Sequence, residues 1–289
     1  MSYERLALAL LHGHQYYGPA LRSLQGVTDR HRCMEPVVRA AIEGRGERPL
    51  QILEIGSWAG ASAVSWAVAL KSLSPGGRLT CLDTWKPYFD PEVDREAIYA
   101  EMNAAARRGD VLPLFLHNIR SAGVADIVEY RVGASSDVLP QMEPGSFDII
   151  YIDGSHAFAD VLGDLSQAVR LIRDEGIVCG DDLELQRDAI EPAEHTAAVN
   201  TGRDFVWAES ARSHYHPGVT EAVARLLGPV FSWNGFWAAR GRGSQWEWLE
   251  VSPGALPSHI ADAVSASDRY AGTKAQAHRS SRRRPSSMS

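Results

Sequence analysis

The stretch LQILEIGSWAGAS, residues 50–62, decides how this chain is read. An apolar run ends in Glu54, a loop carrying Gly56 and Gly60 follows, and the helical pattern ASAVSWAVALKSL begins at Ala61. Strand, glycine turn and helix in that order open a parallel α/β unit, whose crossover helix packs back onto its own strand. Gly56 lets backbone pass close to a ligand, and Gly60 lets the helix approach the strand. The spacing is G-x-x-x-G with Trp58 inside, and the dinucleotide fingerprint G-x-G-x-x-G is missing. The loop therefore suits a ligand without a pyrophosphate, although a purely structural turn would read the same way.

Outward from this loop the pattern repeats. Short apolar runs bounded by turn residues predict strands at 50–55, 78–83, 128–133, 147–153 and 176–181. Helical patterns lie between them at 61–73, 91–108 and 159–173, the last with Val161, Leu165, Val169 and Ile172 on one face. Residues 183–204 turn polar and read as an irregular cover, and PGVTEAVARLLG reads as a helix opened by Pro217. Two closing strands, GPVFSW and FWAARGRGSQWEWLEV, complete an antiparallel hairpin. The expected fold is α/β: a doubly wound, mostly parallel seven-stranded sheet with helices on both faces. Residues 1–45 form a helical cap, 46–252 the main domain with 183–218 as a substrate-covering insertion, and 270–289 a disordered basic tail.

Chemistry gathers at the strand ends. Asp83 ends the second strand, where a carboxylate can accept the ribose hydroxyls of a nucleoside. Asp153 ends the fourth, and Asp181 and Asp182 end the fifth, with His156 in the loop after Asp153. Parallel neighbours end at one edge, so three carboxylates converge there, and their repulsion invites a divalent cation. All-oxygen ligation favours magnesium, manganese or calcium. Helix caps or partners of arginine are the alternative reading of these acids. His156 can take a proton from a hydroxyl on the same rim.

VGASSDVLPQM (132–142), FDIIYIDGSH (147–156) and GIVCGDD (176–182) together resemble metal-dependent O-methyltransferases of the catechol type. They resemble more closely the bacterial enzymes of macrolide-sugar (mycinamicin) type. The likeness spans about residues 50–183, with an echo in HPGVTEAV and FSWNGFW. It implies a Rossmann-like class I fold with S-adenosyl-methionine across the sheet edge. Glu54, Gly56 and Ser57 match the glycine-loop contacts, with Gly60 and Ser62 beside them. Asp83 and Thr84 match the ribose site, and Ala134, Ser135 and Ser136 the loop flanking adenine. Asp153 borders the cofactor and, with Asp181 and Asp182, falls on the metal positions. His156 falls where the catechol enzymes carry a lysine base and the macrolide-sugar enzymes a histidine. Segments 86–127 and 183–218, which shape the acceptor pocket, match nothing in the pattern.

Composition narrows the function further. The 289 residues are 45% apolar and 22% charged, ordinary for a chain that buries a core. Removing the five positive charges of 270–289 (Lys274, Arg279, Arg282, Arg283, Arg284) from the formal −7 leaves −12 on the rest. An acidic body is a poor partner for nucleic acid. No apolar stretch reaches membrane-spanning length, and the start is a poor signal peptide. Three scattered cysteines fit free thiols in a reducing, cytoplasmic setting. The expected activity is O-methylation of a small polyhydroxylated molecule, a sugar-containing natural product or phenolic, by S-adenosyl-methionine with a magnesium-type cation. A homo-oligomer is compatible with it. The rivals are a nucleotide-dependent oxidoreductase and a non-catalytic protein retaining the cofactor fold.

Overall fold

The computed structural model describes residues 2–43, 48–243 and 245–265; the expected basic tail, 270–289, lies outside them. Five strands run parallel: β1 Gln51–Ile55, β2 Arg78–Asp83, β3 Val128–Val132, β4 Phe147–Ile152 and β5 Ile172–Leu183. A small two-stranded sheet, β6 Val206–Ala208 and β7 Ser213–Tyr215, stands apart. Strands β8 Phe231–Trp233, β9 Gly235–Arg242 and β10 Gln245–Trp248 close the main sheet antiparallel, β9 lying against β5.

The main sheet has eight strands where the sequence reading gave seven, in the order β10-β9-β5-β4-β1-β2-β3 with β8 beside β9. The extra strand comes from splitting the last apolar stretch at Gly243, whose φ of +57° turns the chain. Asn234 and Gly235, both at positive φ, make the two-residue turn between β8 and β9 that the right-handed strand twist favours.

Alternation along the central strands shows why both faces are covered. Ile52, Ile149 and Ile177 join one buried cluster, while Leu53, Ile150 and Val178 join the other. Helices α1 Ser2–His12, α2 Met34–Ile42, α3 Ala61–Leu73, α4 Ala97–Arg108 and α5 Val111–Ser121 precede β3. Residues from α2, α3 and α5 build the first cluster, around Trp66 and Phe115. On the other face lie α7 Phe158–Leu171 and α9 Pro217–Leu226, and a short α6, Ser135–Val138, follows β3. The remaining helix of the cover is α8, Pro192–Asn200. Each buried large apolar side chain contributes roughly 1.5–3 kcal/mol, so the two layers rather than helix propensity hold the sheet.

Three local expectations are corrected. The α7 helix ends at Leu171, so its buried face is Val161, Leu165, Ala168 and Leu171; Val169 is exposed and Ile172 belongs to β5. Segment 91–108 becomes helical only at Ala97. Segment 183–204 is not irregular: it carries α8 and a small core of Ile190, Ala208 and Tyr215, with buried His195 between Tyr215 and Glu221. All three cysteines are free and buried. Among the described residues, no helix is long and apolar enough to cross a membrane.

Candidate active site

Strand order reverses between β1 and β4, and the crevice at their carboxyl ends is where open α/β sheets bind ligands. A cavity of about 870 Å³ opens there, lined by the glycine loop, the ends of β2, β4 and β5, and the 204–205 and 216 cover. That volume suits a nucleoside-sized cofactor together with a second small molecule.

The floor of the cavity explains the glycine loop. Gly56 sits at φ +88°, and a Cβ there would overlap the Asp153 carbonyl across the β1–β4 gap. Glycine is required for both reasons. Gly60, at φ +86°, opens α3 and packs on Phe115. The Asp83 carboxylate pins this loop to β2. Its Oδ2 accepts from the backbone N–H of Ser57 (3.0 Å) and Trp58 (2.8 Å), and its Oδ1 from Trp85 N–H (2.7 Å). The Thr84 backbone N–H also donates to this carboxylate, and burial raises it above the usual range. Trp58 and Trp85 hold positive φ, and the Trp85 indole N–H caps the Trp58 carbonyl at 2.8 Å.

Below the loop Glu54 is fully buried. Its Oε2 accepts from Ser57 Oγ at 2.6 Å, while its Oε1 has no hydrogen-bond partner. Burial raises the carboxyl to about 7. A buried carboxylate beneath a phosphate-free glycine loop suits a cofactor whose amino-acid portion is cationic, such as S-adenosyl-methionine. A stability consequence follows. Between the usual 4.5 and about 7 the unfolded chain has lost this proton and the folded one keeps it, so stability falls as pH rises through that window. At roughly 1.4 kcal/mol per unit, the loss reaches about 3 kcal/mol. The cofactor-free Glu54→Gln protein should therefore melt above the wild type at pH 8 and lose part of the wild-type fall in Tm between pH 5 and 8. An unchanged or lower Tm at pH 8 in scanning calorimetry would contradict this.

Ser62, Thr84, Ala134, Ser135, Ser136 and Asp153 also line the cavity. Asp164 of α7, missed in the sequence, lines the same end, and burial raises its carboxyl to about 6. A single acid inside an amphipathic helix carries no signal of its own.

The opposite wall is charged. His156 Nδ1 lies 2.7 Å from Asp204 Oδ1 and its Nε2 lies 2.9 Å from Asp182 Oδ2. These carboxylates raise the imidazole well above its usual 6.5 against the opposing effect of burial. Tyr99 donates to Asp204 Oδ2 at 2.7 Å, and His216 Nδ1 lies 3.0 Å from Glu184 Oε2. Asp204, Tyr99, Glu184 and His216 were not assigned from sequence, since the segments that carry them match no motif.

Asp181 and Asp182 meet a guanidinium. Arg30 Nη1 stands 2.5 Å from Oδ1 of each, its Nη2 2.6 Å from Glu184 Oε1, and its Nε donates to the Asn234 carbonyl at 2.6 Å. Asp153 accepts from Tyr151 Oη at 3.3 Å, and burial with the nearby Asp181 and Asp182 charges raises its carboxyl well above the usual range. Among the described residues, the one group with ligand atoms within 4.8 Å of one another is His156, Asp182 and His216. That set is imidazole-rich, unlike the oxygen shell magnesium prefers, and its nitrogens already face carboxylates. As arranged, Asp181 and Asp182, at two of the expected metal positions, are engaged by Arg30 rather than open to a divalent ion.

A family profile described as "Methyltransferase domain" matches residues 53–183, the span from β1 to the end of β5. The chain is 25% identical over 186 residues to the catechol O-methyltransferase of Mycobacterium tuberculosis (strain ATCC 25618 / H37Rv), covering 64% of this chain and 69% of that protein. Similar solved structures include the O-methyltransferase TomG of Streptomyces achromogenes, involved in tomaymycin synthesis, in complex with S-adenosyl-methionine. It is 21% identical with a TM-score of 0.44, over 84% of this chain and 100% of that one. An O-methyltransferase of Bacillus cereus in complex with S-adenosyl-homocysteine is 17% identical with a TM-score of 0.41, over 82% and 87% of the two chains. The profile matched over residues 53–183 and the curated relative, set beside this edge cavity, support a class I S-adenosyl-methionine-dependent O-methyltransferase.

Proposed function

We propose that the chain transfers a methyl group from S-adenosyl-methionine to a hydroxyl of a small polyhydroxylated molecule, with His156 as the proton acceptor. The observation that carries this reading is His156 on the wall of the same cavity as the Asp83-pinned glycine loop. The cofactor supplies an electrophilic methyl on a sulfonium: the S–CH3 bond breaks, an O–CH3 bond forms and the sulfur leaves as a neutral thioether. Glu54, Gly56 and Ser57, with Gly60 and Ser62, hold the amino-acid portion, and Asp83 with Thr84 holds the ribose. Ala134, Ser135 and Ser136 flank adenine, and Asp153 borders the cofactor. Asp204 holds the Nδ1 side of His156, and the hydroxyl proton goes to Nε2 once the acceptor oxygen takes the place of its 2.9 Å contact with Asp182. Most of the acceleration comes from fixing oxygen and methyl in line, worth up to about 7–11 kcal/mol in well-oriented systems.

The acceptor side favours a molecule with an apolar face. Tyr88, Phe89, Tyr99, Met102 and Phe205 line it. A sugar-bearing or phenolic natural product combines such a face with hydroxyls. Incubation of the full-length protein with methyl-labelled cofactor and a panel of glycosides and phenols tests the reading. Labelled O-methyl product with one equivalent of S-adenosyl-homocysteine is expected. Label found only on nitrogen or carbon acceptors would overturn the hydroxyl assignment.

A further inference from the structure

We propose that Arg30 is the resident counter-cation of the acidic edge at the end of β5, and that this site works without a divalent metal ion. The inference rests on the methyltransferase reading only for what the site is used for; the arrangement of Arg30 stands by itself.

Three separated stretches are shaped around one guanidinium. Arg30 comes from the 3-10 turn Thr28–Cys33, and its side chain is only 3% exposed. Its contacts use Nη1 toward Asp181 and Asp182, Nη2 toward Glu184 and Nε toward the Asn234 carbonyl. Neighbouring residues of a regular strand point to opposite faces, so Asp181 and Asp182 could not both reach one nitrogen. Here the β5–β9 register shifts between Gly180 and Leu183, and Asp182 sits at φ +65°. That bulge swings both carboxylates onto Arg30, and the Trp237 indole fastens it by donating to the Asp181 carbonyl at 3.0 Å. On the other side Gly235 lacks the side chain that would collide: a Cβ there would fall inside contact distance of the guanidinium. Gly235 thus makes the turn and leaves room for Arg30.

Arg30 Nη1 contacts Oδ1 of both Asp181 and Asp182 at 2.5 Å, and Asp182 Oδ2 faces His156 Nε2 at 2.9 Å, so a cation shared by the two acids would have to displace or crowd these partners. Two positive centres this close in a buried site repel strongly, so arginine and metal compete for the acidic edge. Chelation would demand two neighbouring acceptor oxygens, whereas proton removal by His156 asks for one. The predicted acceptor range therefore includes molecules with a single isolated hydroxyl at the methylated position.

Manganese titration of the full-length protein, saturated with S-adenosyl-homocysteine and followed by the electron paramagnetic resonance of free Mn2+, tests this. The wild type should show no stoichiometric site tighter than about 1 mM. Arg30→Ala should gain one site at least about tenfold tighter, and adding Asp182→Asn should remove it. Arg30→Lys, which keeps the charge, should stay without it. One equivalent of Mn2+ bound to the wild type below about 0.1 mM would overturn the proposal whatever the variants do. So would an Arg30→Ala protein that binds S-adenosyl-homocysteine normally and gains no site. Failure of the wild type to bind S-adenosyl-homocysteine would instead count against the methyltransferase reading.

Discussion

His156→Ala should lower kcat by about 10²–10⁴-fold while S-adenosyl-homocysteine binds as in the wild type, because the ring meets the acceptor wall and not the glycine loop. The pH dependence sharpens the expectation. Asp204 and Asp182 flank both ring nitrogens and hold the imidazole well above its usual 6.5. A base works only when unprotonated, so kcat should rise with pH through a midpoint above that of an ordinary histidine. Asp204→Asn removes one of the stabilising charges, so the same limb should move toward acid while the plateau falls from lost orientation. A plateau unchanged in His156→Ala, or a limb in Asp204→Asn that stays in place or moves toward alkali, would remove His156 from the role of base.

Gly56→Ala is expected to have an effect of similar size on binding. A side chain at φ +88° costs roughly 1–2 kcal/mol, and overlap with the Asp153 carbonyl adds about 1–3 kcal/mol. At 1.4 kcal/mol per decade, the affinity for S-adenosyl-homocysteine should fall by about 30-fold or more, since relief of the overlap must open the β1–β4 gap beneath the ligand. Gly109→Ala is the control: its φ of +72° carries a similar backbone cost, but nothing lies within 4 Å of a Cβ there. It should lose about 1 kcal/mol of stability and no cofactor affinity. Equal losses of affinity in the two variants would show that backbone strain, and not the β1–β4 gap, sets binding.

Strand ends were legible in the sequence because buried parallel strands read as continuous apolar runs, and their last residues project to one edge. That is why Gly56, Asp83, Asp153 and His156 could be placed on one rim before the structure, and all of them line the cavity. What the acids meet there was not legible. Arg30 lies about 150 residues before Asp181, in the stretch read only as part of a helical cap. The bulge that joins Asp181 to Asp182 on it leaves no trace in an apolar count. Asp204 comes from a cover whose polar composition read as irregular, although His195, Tyr215 and Ile190 give it a small interior. The eighth strand was hidden because β9 and β10 read as one apolar run until Gly243 is seen to turn.

The crevice at the ends of β1 and β4 is proposed to bind S-adenosyl-methionine through the Asp83-pinned loop. Isothermal titration calorimetry of the full-length protein with S-adenosyl-homocysteine tests it most directly, with NAD as the competing ligand. One-to-one binding of S-adenosyl-homocysteine, no heat with NAD, and loss of the signal in Asp83→Ala are the predicted results. Binding of NAD in its place, or S-adenosyl-homocysteine affinity untouched by Asp83→Ala, would contradict it.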